Sequence, residues 1–352
     1  MKATTWPKTL LRIAQRSLTG KPLNSSTEIR LTRLCTQRCR QCSIYERTTD
    51  PPSMSWEHFR IVAQRLRKYG ATIGFISGGE PTLVPHLDRI LMEAKKTFSV
   101  ATTLVTGLVN KTETIRRIGR IALENDIHIQ TSLDGFGKLG DDLRGVKDFS
   151  TTVLKHMEWL SKNRGASKSL LYANIVLNDL NLEQVPRLIR TANDIGWKTT
   201  VGFYHSLTET TRRDNELSLK PGKRLDTALD FLRGNPQILN LNTYIEGIAD
   251  FVEGKPVGFC AFAHAPVLAT RTTITEDGSV HLCYGGPIGN ILTQPLDDIF
   301  KSNEYTDRID AYRSCNGCWT TCYTQRYLLV HPRSVKELLQ NVHKIRTLKA
   351  KS

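Results

Sequence analysis

Six β-rich runs alternate with amphipathic helical segments across the first 204 residues, and this alternation leaves few folds open. The runs are EIRLTRLC (28–35), IGFISGGE (73–80), TTLVTG (102–107), IHIQTSLDG (127–135), LLYANIVL (170–177) and KTTVGFY (198–204). A strand followed by a crossover helix and another strand builds a parallel sheet with helices outside it, so the class is α/β. In SWEHFRIVAQRLRKYG, Ser55 is placed to cap the first turn, Phe59, Val62 and Leu66 share a face, and Gly70 stops the helix. Helical spacing recurs over 87–96, 112–124, 151–162 and 182–195. Ligands of such sheets collect at the carboxyl ends of the strands, where Cys35, Glu80, Gly107 and Asp134 fall.

The pattern changes after about residue 235. ATRTTITEDGSVHLC (269–283) alternates around Asp277-Gly278, a strong hairpin signal, and is followed by the helix-like LDDIF and the thiol-rich SCNGCWTTCY. This reads as a separate cysteine-bearing module whose boundary lies between 235 and 258. The opening segment WPKTLLRIAQRSLTGK puts Leu10, Ile13, Ala14 and Leu18 on one face and Lys8, Arg12 and Arg16 elsewhere. A basic amphipathic helix is expected there, within residues 1–27. Packing against one end of the sheet is favoured over peripheral contact with an anionic membrane.

The formal charge of +15, from 49 basic and 34 acidic residues, should attract anionic partners. The basic residues are scattered and no recognisable nucleic-acid module is present, which argues against nucleic acid. No secretory signal and no apolar stretch of about 20 residues occurs, so a cytoplasmic location is expected. The eight cysteines fall in two groups, and thiols kept reduced and clustered in this way point to metal ligation rather than disulfides.

Cys35, Cys39 and Cys42 offer three soft thiolates from one loop, too few to close a four-coordinate zinc site or a four-iron cluster. One iron would stay open to an exogenous ligand. The CxxxCxxC spacing resembles the signature of radical S-adenosylmethionine (SAM) enzymes. In that family three cysteines hold a [4Fe-4S] cluster, SAM chelates the fourth iron, and one electron releases a 5'-deoxyadenosyl radical. The resemblance implies a partial (β/α)6 TIM-like barrel over residues 28–235.

SGGEP (77–81) resembles the family's GGEP segment, which implies that Gly78 and Gly79 admit the methionine end of SAM, that Glu80 accepts from its ammonium group, and that Pro81 fixes the turn. VTG (105–107), with Thr106, resembles the third-strand Thr-Asn-Gly but lacks the Asn. TSLDG (131–135) with LRG (143–145) and Phe149 resembles the SLDG...RG...F stretch of members carrying extra clusters. The resemblance assigns Ser132 to the SAM ribose, Asp134 to ordering the site, and Asn174 to a ribose or carboxylate contact. Gln41 departs from the aromatic residue common before the third cysteine, and Tyr45 is a candidate substitute.

Cys260, Gly278-x4-Cys283, and Cys315-x2-Cys318-x3-Cys322 resemble a SPASM/Twitch extension, a smaller Cys-rich α+β module over residues 236–352. By analogy Cys260, Cys283, Cys315 and Cys318 bind one auxiliary [4Fe-4S] cluster, with Cys322 as an alternative ligand or a free thiol. On spacing alone a four-thiolate zinc site fits equally well. His264 and His281 lie near these cysteines and are not assigned to the metal.

The expected protein is therefore a radical SAM enzyme that abstracts hydrogen from an organic substrate and draws electrons from a flavodoxin- or ferredoxin-like donor. Because 34 residues precede Cys35, a small-molecule substrate, such as an anionic sugar, nucleoside or lipid-linked metabolite, is the first expectation. The alternatives are maturation of a ribosomally made peptide or protein, and a non-enzymatic metal module. Tyr204 and His205, at the last strand end, are noted as a proton or hydrogen donor pair without an assigned role.

Overall fold

The computed structural model describes residues 22, 24, 26–46, 52–206, 211–256, 260, 262, 271–315, 317–321, 324, 336–337 and 339–340. The segment expected to form the N-terminal helix, together with His264 and Cys322, lies outside the described residues. In chain order the first elements are β1 (Ser26–Arg30), α1 (Trp56–Tyr69), β2 (Ile73–Ser77), α2 (Leu87–Thr97), β3 (Ala101–Val105), α3 (Thr112–Glu124) and β4 (His128–Ser132). Then come α4 (Gly137–Arg144), α5 (Phe149–Lys162), β5 (Leu171–Leu177), α6 (Val185–Asp194), β6 (Lys198–Phe203), α7 (Lys223–Leu232) and α8 (Asn242–Val252). The last are β7 (Arg271–Ile274), β8 (Ser279–His281), β9 (Gly289–Asn290), α9 (Leu296–Ile299) and α10 (Asn303–Arg313). All six expected strands form, each in parallel pairing where its register is recorded, with helices between them.

Two compact units result: residues 1–35, 46–105 and 259–317 make the first, and 36–45, 106–258 and 318–352 the second. In the first unit the strand order is β3-β2-β1-β7-β8-β9. Helix α1 begins as its sequence requires: the Ser55 side chain accepts from the His58 N–H at 3.1 Å, and Gly70, at φ 87°, closes the other end. Its apolar stripe, Phe59, Val62, Ala63 and Leu66, is fully buried, and each large side chain on it contributes about 1.5–3 kcal/mol.

The hairpin around Asp277-Gly278 forms, with Gly278 at φ 83° and Asp277 accepting from the Thr275 hydroxyl (2.6 Å) and the Ser279 N–H (3.1 Å). It does not stand apart from the sheet. β7 pairs parallel to β1, Ser26 opposite Arg271 and Ile29 opposite Ile274, so the hairpin extends the same sheet beyond β1. Buried polar side chains fix that edge: Asn24 donates to the Thr27 hydroxyl at 2.8 Å, and the Thr272 hydroxyl donates to Asn24 at 3.2 Å. On the other, half-buried face of β1 Glu28 accepts from Ser77 (2.8 Å) and Arg271 (2.8 Å). Burial alone would raise its pKa, but Arg30 and Arg271, with these hydrogen bonds, hold it well below the carboxylate range.

In the second unit the order is β6-β5-β4, again parallel. Along β5, Leu171, Ala173, Ile175 and Leu177 are buried while Tyr172, Asn174 and Val176 are half-buried, the period-2 pattern of a strand with two different faces. The outer edge of β6 is covered. Leu239 donates to the Thr199 carbonyl at 2.9 Å, and the Asn240 side chain pairs with both the N–H and the carbonyl of Val201 at 2.7 Å.

Candidate functional site

The approach to the first cysteine is set by contact between two backbones. Leu31 donates to the Ser77 carbonyl (2.8 Å), Gly79 to Thr32 (2.7 Å) and Glu80 to Leu34 (2.7 Å). Gly78 sits at φ 149°, and a Cβ on Gly79 would lie 2.2 Å from the Leu34 carbonyl oxygen. The direct structural use of these glycines is to let the end of β2 press against the chain leading to Cys35. Glu80 is 1% exposed, and its Oε1 accepts from the Thr82 N–H (3.1 Å) and hydroxyl (2.6 Å). It thereby caps the short 3-10 turn Pro81–Leu83, with Pro81 in the first position.

Cys39 and Cys42 lie in the second unit, joined by a turn in which the Cys42 N–H donates to the Cys39 carbonyl at 3.1 Å. The buried Arg144 side chain ties this turn to β4. One guanidinium nitrogen donates to the Cys39 sulfur at 3.7 Å, and the other forms an ion pair with Asp134, which is 1% exposed. The second Asp134 oxygen accepts from the Val176 N–H at 2.8 Å. Burial opposes the charge on Arg144, but Asp134 and the Cys39 sulfur more than offset it and raise the pKa. The main chain adds a second tie: Arg38 donates to the Arg144 carbonyl (3.1 Å) and Arg40 to that of Leu143 (3.0 Å). Gly145, at φ 59°, has the Arg38 carbonyl 2.3 Å from where its Cβ would be. The LRG segment is thus the wall on which the cysteine loop is laid.

Thr106 is buried, and its hydroxyl accepts from the Leu108 N–H at 3.1 Å. Cross-strand register puts Ser132, Asn174 and Thr200 side by side, with the Thr200 hydroxyl donating to the Asn174 amide oxygen at 3.0 Å. Tyr204, noted from sequence as a donor, is 6% exposed and engaged elsewhere. Its hydroxyl donates to the Arg212 carbonyl (2.7 Å) and accepts from the Asp214 N–H (2.6 Å). That segment in turn pairs with the cysteine loop through a Cys42–Thr211 bridge and an Arg212 N–H to Gln41 carbonyl bond of 2.9 Å. Tyr204→Phe should cost about 1–3 kcal/mol in denaturant unfolding, because the Asp214 N–H and the Arg212 carbonyl lose their shared partner.

Burial pushes the His205 imidazole down to about 4, so it is neutral near pH 7. An unfolded chain takes up this proton near pH 6.5, before the folded one does. Stability from this residue is therefore full above that pH and is lost as the pH falls toward 4. His205→Gln should flatten the melting-temperature profile over that window.

The second thiol group is organised by aromatic residues. The Tyr312 hydroxyl accepts from the Cys283 N–H (3.1 Å) and donates to the Tyr284 carbonyl (2.9 Å), where Arg308 also donates (2.6 Å). Burial raises the Tyr284 pKa, and the charges of Cys315, Cys283 and Cys260 raise it further. Cys318 falls in the second unit, its carbonyl accepting from the Thr324 hydroxyl at 2.9 Å. None of the seven described cysteines is joined in a disulfide. Among the described residues no three His, Cys, Asp or Glu side chains converge as for a single metal ion. An all-thiol donor set, with a cation beside Cys39 to compensate its charge, is chemistry that fits an iron–sulfur cluster.

A model of the radical SAM superfamily matches residues 29–192, and one of the SPASM iron–sulfur cluster-binding domain matches residues 266–319. The chain is a radical SAM enzyme with a SPASM domain. These domains imply [4Fe-4S] clusters and SAM as its cofactors. It is 24% identical to the PqqA peptide cyclase of Streptomyces rochei over 84% of this chain and 80% of that enzyme. It is 23% identical to the sporulation killing factor maturation protein SkfB of Bacillus subtilis over 49% of this chain, a match spanning only 40% of that protein's length. Streptococcus suis SuiB, solved with its precursor peptide SuiA, shares the fold at a TM-score of 0.62 and 16% identity, over 91% of this chain and 76% of that one. Among the described residues, this radical SAM enzyme has no helix long and apolar enough to cross a membrane.

Sequence reasoning quoted the LRG segment but did not single out Arg144. The available signal was an Arg-Gly pair ten residues after an aspartate at an expected strand end.

Proposed function

We propose that the enzyme matures a ribosomally made peptide or protein in the cytoplasm, drawing electrons from a flavodoxin- or ferredoxin-like donor. The similarity to a peptide cyclase across 84% of the chain is the observation that carries this reading. A relative named as a maturation protein supports it over a shorter stretch. The small-molecule expectation rested on the 34 residues before Cys35, a count that depends only on where the sequence begins. The comparisons give it no support.

In this reading Cys35, Cys39 and Cys42 hold the first cluster, and Gly78, Gly79, Glu80, Pro81, Thr106, Ser132, Asp134 and Asn174 surround SAM. Cys260, Cys283, Cys315 and Cys318, with Cys322 as alternative, hold the auxiliary cluster. When bound, the first cluster and SAM supply one-electron cleavage chemistry capable of taking a hydrogen atom from an unactivated C–H bond. Arg144 offsets charge at Cys39 while Asp134 fixes the guanidinium in place. The half-buried row Gln130, Ser132, Tyr172, Asn174 and Thr200 offers uncharged donors and acceptors suited to peptide amides. Excluding water around that row would keep a bound segment aligned.

The experiment is to incubate anaerobically reconstituted enzyme with SAM, dithionite and the short peptides encoded beside its gene, and to read peptide masses. A hydrogen loss or new cross-link in one peptide is the expected outcome. Turnover of a metabolite, with every such peptide left unbound and unchanged, would contradict the proposal.

A further inference from the structure

Glu276 sits in the tight turn between β7 and β8, where side chains ordinarily meet water, yet it is 1% exposed. Asp277, next to it in the same turn, is exposed. A buried carboxylate is kept where a cation and hydrogen bonds compensate it. The Arg33 guanidinium does so here, its Nε donating to Glu276 Oε1 in an ion pair. Arg33 stands two residues before Cys35, on the stretch 31–34 that leads from β1 to the first cysteine.

The sheet brings these two residues together. β7 runs parallel to β1 with Ile274 opposite Ile29, so the chains leave the carboxyl ends of the two strands side by side. The other ties on the stretch 31–34 come from segments between β1 and the end of β2. The Thr32 hydroxyl donates to the Pro52 carbonyl at 2.9 Å, the Arg33 N–H donates to the same carbonyl at 3.0 Å, and the Gly79 N–H donates to Thr32 at 2.7 Å. The Glu276 contact comes instead from the hairpin that carries Cys283 just past β8. The turn bearing Glu276 is closed on itself, Gly278 donating to the Thr275 carbonyl at 2.9 Å and Thr275 to that of Ser279 at 3.0 Å. Its carboxylate is therefore presented from fixed backbone, and the planar guanidinium of Arg33 reads its position more strictly than an ammonium would.

We propose that Glu276 is a positioning residue for the first cluster: through Arg33, the hairpin of the second cysteine group holds the arm that presents Cys35. The proposal takes Cys35 as a cluster ligand and is independent of which substrate the enzyme matures. The hairpin then serves both cysteine groups, the second by carrying Cys283 and the first by fixing the approach to Cys35.

The test compares full-length Arg33→Gln, Glu276→Gln and the double variant with wild type. In reconstituted holoenzyme, the SAM concentration giving half of the SAM-dependent change in the first cluster's electron paramagnetic resonance should rise by about tenfold in each single variant. Auxiliary-cluster iron should be unchanged. The double variant should match the singles rather than multiply them, because both remove one interaction. Arg33→Lys should fall between wild type and Arg33→Gln. In the metal-free chain, the alkylation rate of Cys35, followed by peptide mass, should rise by about tenfold in the single variants while that of Cys315 stays at the wild-type rate. This second readout needs neither cluster nor substrate, so it tests the contact even if the peptide-maturation reading fails. A wild-type SAM response together with wild-type Cys35 alkylation in Glu276→Gln would overturn the proposal. So would an equal rise at Cys35 and Cys315, which would make the pair a general brace of the fold, or a double variant whose effect is the product of the singles.

Discussion

Arg144→Ala should lower stability by about 3–5 kcal/mol, because it leaves the Asp134 carboxylate buried without its cation. The guanidinium is 8% exposed and Asp134 1%, so water cannot take over the lost interaction. Arg144→Lys keeps a charge but not the planar fork that reaches Asp134 and Cys39 together, and should recover only part of the loss. Denaturant unfolding measures both, and iron content should fall with stability as the cysteine turn loosens. Wild-type unfolding in Arg144→Ala would show that the LRG wall does not hold the loop.

Gly79→Ala carries the second large effect. Its new methyl would sit 2.2 Å from the Leu34 carbonyl oxygen, a backbone atom with no rotamer by which to escape. The end of β2 and the approach to Cys35 must then separate, at a cost of about 1–3 kcal/mol. Loss should be selective: iron in the first cluster falls while iron in the auxiliary cluster remains. Gly234→Ala is the control, since its Cβ meets nothing within 4 Å and only its φ of 67° resists the change. That substitution should cost about 1 kcal/mol, leaving both clusters loaded.

The strands and most helices were legible because each is written locally. β5 carries its period-2 burial, α1 carries its own cap and stop, and the TTLV and IHIQTS runs appear as β3 and β4 within a residue or two. The pairing of β7 with β1 was not legible, since hairpin spacing says nothing about which sheet edge it joins and residues 26 and 271 are far apart in the chain. The two cysteine groups were visible as a donor pattern, whereas their supports were not. Arg144 and Asp134 each look like ordinary turn residues until the fold buries them together. Tyr204 looked like a residue at a strand mouth, but its hydroxyl is committed to main chain that only the fold brings near. The motif glycines were read toward a ligand, and the fold adds a use the motif does not show, their close approach to the protein's own backbone.

The most direct measurement is electron paramagnetic resonance of anaerobically reconstituted, dithionite-reduced protein, with and without SAM, for wild type and Cys39→Ala. Wild type should hold about eight irons per chain and show a cluster signal that changes when SAM is added. Cys39→Ala should hold about four irons and show no SAM-dependent change. A wild-type signal indifferent to SAM, or a Cys39→Ala protein that still responds to it, would contradict an open iron held by Cys35, Cys39 and Cys42.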